Sequence, residues 1–138
     1  MGELSIANRL DSKLKDLNKY LKFLIKVIPD NLEVYEKDSI TKAVCERYFE
    51  KIVEATIDIG FFVIKLNKLR VPNLDESVFN ILAENNIINL ELSEKLFGAK
   101  SMRNFIIHQY GGIDDEKIFF TIKDELIPDV KEFLGALE

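Results

Sequence analysis

With 138 residues, 47% of them hydrophobic, the chain is large enough to bury one substantial core, and no Pro-, Gly- or Ser-rich linker divides it. A net charge of −5 and a pI near 5.0 exclude a protein that coats nucleic acid by bulk positive charge. They leave room for an enzyme that touches a few phosphates through a local patch. The single cysteine, Cys45, excludes an intrachain disulfide or a cysteine metal cluster and reads as a buried structural thiol.

Taken in order, the chain reads as helices. Leu4, Ala7, Leu10, Leu14, Leu17, Leu21, Leu24 and Ile28 recur at steps of three and four, which predicts an amphipathic helix over 4–28. Pro29-Asp30-Asn31 stops it. A second helix is predicted from Asp38 or Ser39, either of which can cap it, to about residue 67. Its second half (Ile57, Ile59, Phe61 to Ile64, Leu66) is apolar on nearly every side and calls for cover all round, by this chain or by another subunit. Arg70 to Asn73 is a turn, followed by a short helix over about 75–84 that Asn85-Asn86 closes. Asn89 caps a fourth helix from 90 to about 109, which Gly111-Gly112 ends. Asp114 caps a fifth helix to near 137, with a kink or break expected at Pro128. The expected fold is all-α, an up-and-down bundle of about five helices in one domain spanning 1–138.

No secretion signal precedes the first helix, and the central apolar run of 61–64 is far short of the ~20 residues that cross a bilayer. A cytoplasmic location is expected.

The segment from Ser101 to Gly112 carries the chemistry. It holds the one histidine, His108, together with Arg103, Asn104 and Tyr110, and no carboxylate falls between Glu94 and Asp114 while Lys95, Lys100 and Arg103 are cationic. On a helical wheel Arg103 and Tyr110 lie nearly in line, as do Asn104 and His108, whereas Arg103 and His108 are about 140° apart. RNA brings its own nucleophile, the 2′-hydroxyl. An imidazole exchanges protons near neutrality, and a guanidinium offers a planar fork of donors to phosphate oxygens. The pair suffices in kind for metal-free phosphodiester cleavage. From the residues alone, an incidental arginine and histidine near a helix end remain the commoner explanation, and for His108 a favourable interaction with the helix dipole is the plain alternative. Lys65, Lys68 and Arg70 extend the basic path or form a solvated loop. Glu54 and Asp58, one turn apart, invite a carboxylate-bridged metal bundle, but one histidine and no Glu-x-x-His set that reading aside. No metal and no cofactor are expected.

Arg103-Asn104-Phe105-Ile106-Ile107-His108 fits the R-x4-H motif of the HEPN superfamily, and Tyr110 extends it to the R-x4-H-x-Y that resembles the HepT-like toxin branch. Val71-Pro72, Ile81 to Asn85, Ile113-Asp114, and Arg47 with Glu54-Ala55 resemble that branch in order and spacing, so that the likeness runs from about Thr41 to the C-terminus. Lys100-Ser101-Met102 stand where such chains often carry a glycine, and Gln109 where they often carry an acid. The resemblance implies a metal-independent endoribonuclease toxin of a type VII-like toxin–antitoxin module, a homodimer with two R-x4-H segments facing across a cleft. It implies His108 as the proton-transfer residue, Arg103 as the phosphate contact, Asn104 and Glu54 as supporting residues, and Tyr110 as the target of adenylylation. The implied partners are RNA and a minimal nucleotidyltransferase antitoxin. A non-catalytic helical partner of a nucleotidyltransferase is the alternative.

Overall fold

A computed structural model describes residues 2–74, 76–108 and 114–138. Among these the chain forms α1 (Glu3–Val27), α2 (Leu32–Lys37), α3 (Ser39–Leu66), α4 (Val78–Glu84), α5 (Leu90–His108), α6 (Asp115–Phe120) and α7 (Ile127–Ala136), with a π-helical stretch over Thr121–Leu126 joining the last two and no strand.

The long helices lie where their apolar periodicity puts them, and their ends follow local hydrogen-bonding chemistry. Asp38 rather than Ser39 caps α3: its carboxylate accepts from the backbone N–H of Ile40 and Thr41 and from the Thr41 hydroxyl. Asn89 accepts from the Leu92 N–H at 2.7 Å and starts α5, and Asp114 accepts from the Lys117 N–H and starts α6. Both α3 and α4 close with a residue in the left-handed region, Lys68 at φ 55° and Asn86 at φ 58°. In each case the next N–H reaches back five residues, Leu69 to the Ile64 carbonyl and Ile87 to the Leu82 carbonyl.

Three features depart from the sequence expectation. The connection between the first two long helices contains α2, capped by the Asn31 side chain and anchored by the fully buried Tyr35. Six residues are too few for a 3.6-residue period to register, so only the tertiary burial of Tyr35 marks it. The short helix expected over about 75–84 begins later, at Val78 of α4, because Ser77 is its cap, its hydroxyl accepting from the Phe79 N–H. The irregularity expected at Pro128 falls one turn earlier, in Thr121–Leu126. Pro128 sits in the first turn of α7, where its missing N–H costs little, and the widened π turn before it takes up the crowding its ring would impose on the Asp124 carbonyl. The C-terminal helical run therefore continues to Ala136 without a break.

The core is built around α3. Leu17, Leu21 and Leu24 of α1, Phe49, Ile52, Ile59 and Ile64 of α3, Phe79, Ile81 and Leu82 of α4, and Phe119, Ile122, Leu126 and Phe133 of the C-terminal run form one buried cluster. Gly60 makes the α3–α4 contact possible: a Cβ there would lie 2.9 Å from Val78 Cγ2. The α1 stripe is covered progressively: Leu4 is largely exposed, Leu10 and Leu14 are half-buried against the core, and Leu17 onward is sealed. The apolar second half of α3 is covered unevenly as well. Ile59, Val63 and Ile64 are sealed, but Phe61 is 40% exposed. Among the described residues no helix is long and apolar enough to cross a membrane. Cys45 is fully buried, and burial pushes its thiol up to about 11.

Candidate functional site

The last three turns of α5 present the motif residues on the surface. Ile106 is buried and fixes the rotation of the helix against the core. With that rotation set, Phe97, Ser101, Asn104 and His108, at steps of four, three and four, form one exposed stripe. Phe97 is 49% exposed and Ile107 47%, so two large apolar side chains flank the polar residues.

Arg103 lies beside this stripe, half-buried. Its Nη2 donates to the Asn104 side-chain oxygen at 3.1 Å, so Asn104 orients the guanidinium. Its Nε is buried and has no hydrogen-bond partner among the described residues. A buried donor of this kind is costly unless something outside the chain accepts from it. The wheel separation of Arg103 and His108 is preserved, because α5 is regular through His108. Tyr110, along with Gln109 and Gly111-Gly112, lies outside the described residues.

The acidic candidates on α3 divide. Glu54 is exposed and forms no hydrogen bond with Arg103. Asp58, one turn on, pairs with Lys13 of α1 at 3.3 Å and braces the α1–α3 contact. Among the described residues no group of three or more His, Cys, Asp and Glu is arranged to hold a metal ion.

The basic path suggested by Lys65, Lys68 and Arg70 does not survive as a set. Arg70 is clasped by two carboxylates, donating from Nη1 and Nη2 to Glu76 and from Nε and Nη2 to Glu84. Glu76 is held down at about 2, first by those hydrogen bonds and then by the Asn73 N–H. Lys68 pairs with Glu3 at 3.4 Å, and Lys65 sits over the Phe62 ring. The clasp joins the end of α3 to the start and end of α4, a structural duty that a charge count cannot distinguish from a phosphate contact. Lys95 pairs with Glu91 one turn earlier on α5. Lys100 lines a cavity of about 280 Å³ with Phe61, Pro72 and Leu74.

A family model described as "Ribonuclease HepT-like" matches residues 17–137. Among curated relatives, the chain is 25% identical over 135 residues to the tRNA nuclease HepT of Aphanizomenon flos-aquae, covering 94% of this chain and 92% of that one. It is 22% identical over 127 residues to the mRNA nuclease HepT of Shewanella oneidensis, covering 92% and 94%. Among solved structures, the tri-AMPylated HEPN toxin of Shewanella oneidensis in complex with MNT antitoxin superposes with a TM-score of 0.83 at 21% identity, covering 93% of this chain and 95% of that one. The cytosolic protein of unknown function YutE from Bacillus subtilis superposes at 0.78 with 15% identity, covering 95% and 87%. The match begins well inside α1, ahead of the point where the sequence likeness was legible. By that match, this chain belongs to the Ribonuclease HepT-like family.

Proposed function

We propose that the chain is a metal-independent endoribonuclease toxin, acting as a homodimer of a single HEPN-like domain. The observation that carries this reading is the state of Arg103: half-buried, aimed by Asn104, and left with a sealed Nε donor that no acceptor among the described residues satisfies. A phosphodiester oxygen or a group on a second copy completes it. His108 is exposed on the neighbouring stripe of the same helix. Since one helix holds the two about 140° apart, a two-fold axis along this stripe gathers two guanidinium and two imidazole groups around one linkage. Exposed Phe97 and Ile107 on α5, and Phe61 on α3, supply the apolar surface that such an axis needs.

In the proposed reaction one His108 takes the proton of the 2′-hydroxyl, whose oxygen attacks the adjacent phosphorus. The bond from phosphorus to the 5′-oxygen breaks, and that oxygen takes a proton from the second His108, leaving a 2′,3′-cyclic phosphate and a 5′-hydroxyl. Arg103 stabilises the charge that builds on the non-bridging oxygens. Glu54 serves as a supporting acid near the site. Relatives named as tRNA and mRNA nucleases support RNA as the substrate, and a fold neighbour that is tri-AMPylated and bound to an MNT antitoxin supports silencing by adenylylation of Tyr110.

The test is purified protein with RNA in EDTA, with intact mass recorded to detect an adduct on Tyr110. Cleavage is expected, reduced ~10²–10⁴-fold in His108→Ala and ~10²–10³-fold in Arg103→Ala. Cleavage that persists at parental rate in both variants overturns the assignment. A folded, unmodified dimer that cuts no RNA replaces it with a non-catalytic partner of a nucleotidyltransferase.

A further inference from the structure

On the side of α5 away from the His108 stripe, a cleft separates that helix from the C-terminal run. It encloses about 360 Å³ and is lined by Lys95, Gly98, Ala99 and Met102 of α5, by Lys117 of α6, by Thr121, Asp124, Glu125 and Leu126 of the π-helical stretch, and by Asp129 of α7. A second cavity of about 500 Å³ shares Gly98, Met102 and Lys117 with it and continues toward Phe105 and Asp114, reaching Ser101 at the edge of the exposed stripe. These volumes fall in the ordinary range of small-ligand sites, ~300–1,000 Å³.

Asp129 is the anomaly in this cleft. It is only 9% exposed, yet its carboxylate accepts no hydrogen bond, and none of the ion pairs among the described residues includes it. Lys95, whose charge acts on it, is already engaged with Glu91 at 3.2 Å. Burial pushes the Asp129 carboxyl above the usual range. Lys95 opposes the rise, and Glu125, Glu132 and Glu91 add to it. The Asp129 residue is nine-tenths covered but its oxygens are not among the sealed unpartnered atoms, so the carboxylate opens onto the cleft without a partner among the described residues. The backbone around it is unusual too: the π-helical turn Thr121–Leu126 turns four of its six residues, Thr121, Asp124, Glu125 and Leu126, into the cleft wall. Widened turns of this kind commonly mark ligand sites.

We propose that this cleft binds an organic cation on an aliphatic stem, an alkylguanidinium or alkylammonium group, with its charged head on the Asp129 carboxylate. Asp124 and Glu125 keep the approach negative. The stem lies over Gly98, Ala99, Met102 and Leu126, where the absence of a side chain at Gly98 leaves open space. A bare metal ion does not fit, because the carboxylates do not converge into a ligand set. An anion is repelled by three carboxylates against one uncommitted lysine, Lys117. The site lies outside the proposed nuclease residues and does not depend on them.

The experiment is an NMR titration of the full chain with n-butylguanidinium, its uncharged isostere n-butylurea, and the blocked peptide acetyl-Gly-Arg-Gly-amide. Saturable shifts are expected for amides of 98–102 and 121–129 with the guanidinium. Binding of the peptide as well assigns the site to a side chain presented by another protein, and binding of the free ion alone assigns it to a small cation. Asp129→Asn should weaken binding by about tenfold or more while a cooperative thermal transition shows that the variant folds. Gly98→Leu should occlude the cleft without altering its charge. Equal binding of n-butylurea, or parental affinity in both variants, or no saturable shift at millimolar concentration, overturns the proposal.

Discussion

Two residues show how much a single position carries. Gly60 lies in mid-helix, where alanine would ordinarily gain ~1 kcal/mol from propensity. A Cβ 2.9 Å from Val78 Cγ2 reverses that sign, since a branched side chain in the first turn of α4 has little room to yield. Gly60→Ala is expected to lose about 1–2 kcal/mol net, the overpacking cost exceeding the propensity gain, measured by urea denaturation. A stabilised variant would mean that α4 shifts freely. Glu76 shows the other kind of dependence. Its carboxyl is depressed from 4.5 to about 2 by the Arg70 clasp, so the folded chain binds its proton less tightly than the unfolded chain does. The stabilisation is present above 4.5 and is lost as pH falls toward about 2. Glu76→Gln should therefore lower the melting temperature at neutral pH, with the gap closing across that acid window and shrinking in high salt because the clasp is solvent-exposed. A gap independent of pH would show that Arg70 is not its source.

At the level of elements, helix ends decide geometry that helix middles do not. Asn86 is suited to its left-handed conformation, and Lys68 is not. Lys68→Gly should stabilise the chain by about 0.5–1 kcal/mol, the relief at φ 55° outweighing the greater freedom of glycine in the unfolded state. Thermal unfolding checks this; a loss would mean that the Glu3 contact outweighs backbone relief. The long helices were legible because their apolar spacing repeats over several turns, and the caps Asp38, Asn89 and Asp114 because each is a short acceptor just ahead of such a run. The segment α2 was not legible, since six residues hold barely one repeat. The π turn was not legible either. Proline announces that a helix must adjust, but where the adjustment falls is set by what Ile122 and Leu126 must reach in the core.

Across the whole molecule, what remains uncovered is as informative as what is buried. Phe61, Phe97 and Ile107 are each 40% exposed or more, on two helices that pack together, α3 and α5. Phe97→Asp is expected to convert the proposed dimer to monomers on size-exclusion chromatography with light scattering, leaving helicity unchanged and abolishing the proposed RNA cleavage. A dimer that withstands this change moves the two-fold axis elsewhere.

From residue order alone came the helical class, most helix ends, and the grouping of Arg103, Asn104, His108 and Tyr110 on one segment, because each depends on spacing within one or two turns. The same order suggested a basic path through Lys65, Lys68 and Arg70, and only the fold showed Arg70 spent on Glu76 and Glu84. It was likewise the packing of α5 beside the C-terminal run that put Asp129 into a cleft, and only the folded chain showed the Nε of Arg103 buried with no acceptor among the described residues. Spacing along a chain fixes which side chains share a face. Whether a charge finds its partner depends on which other helix arrives there, and that is settled only when the core closes.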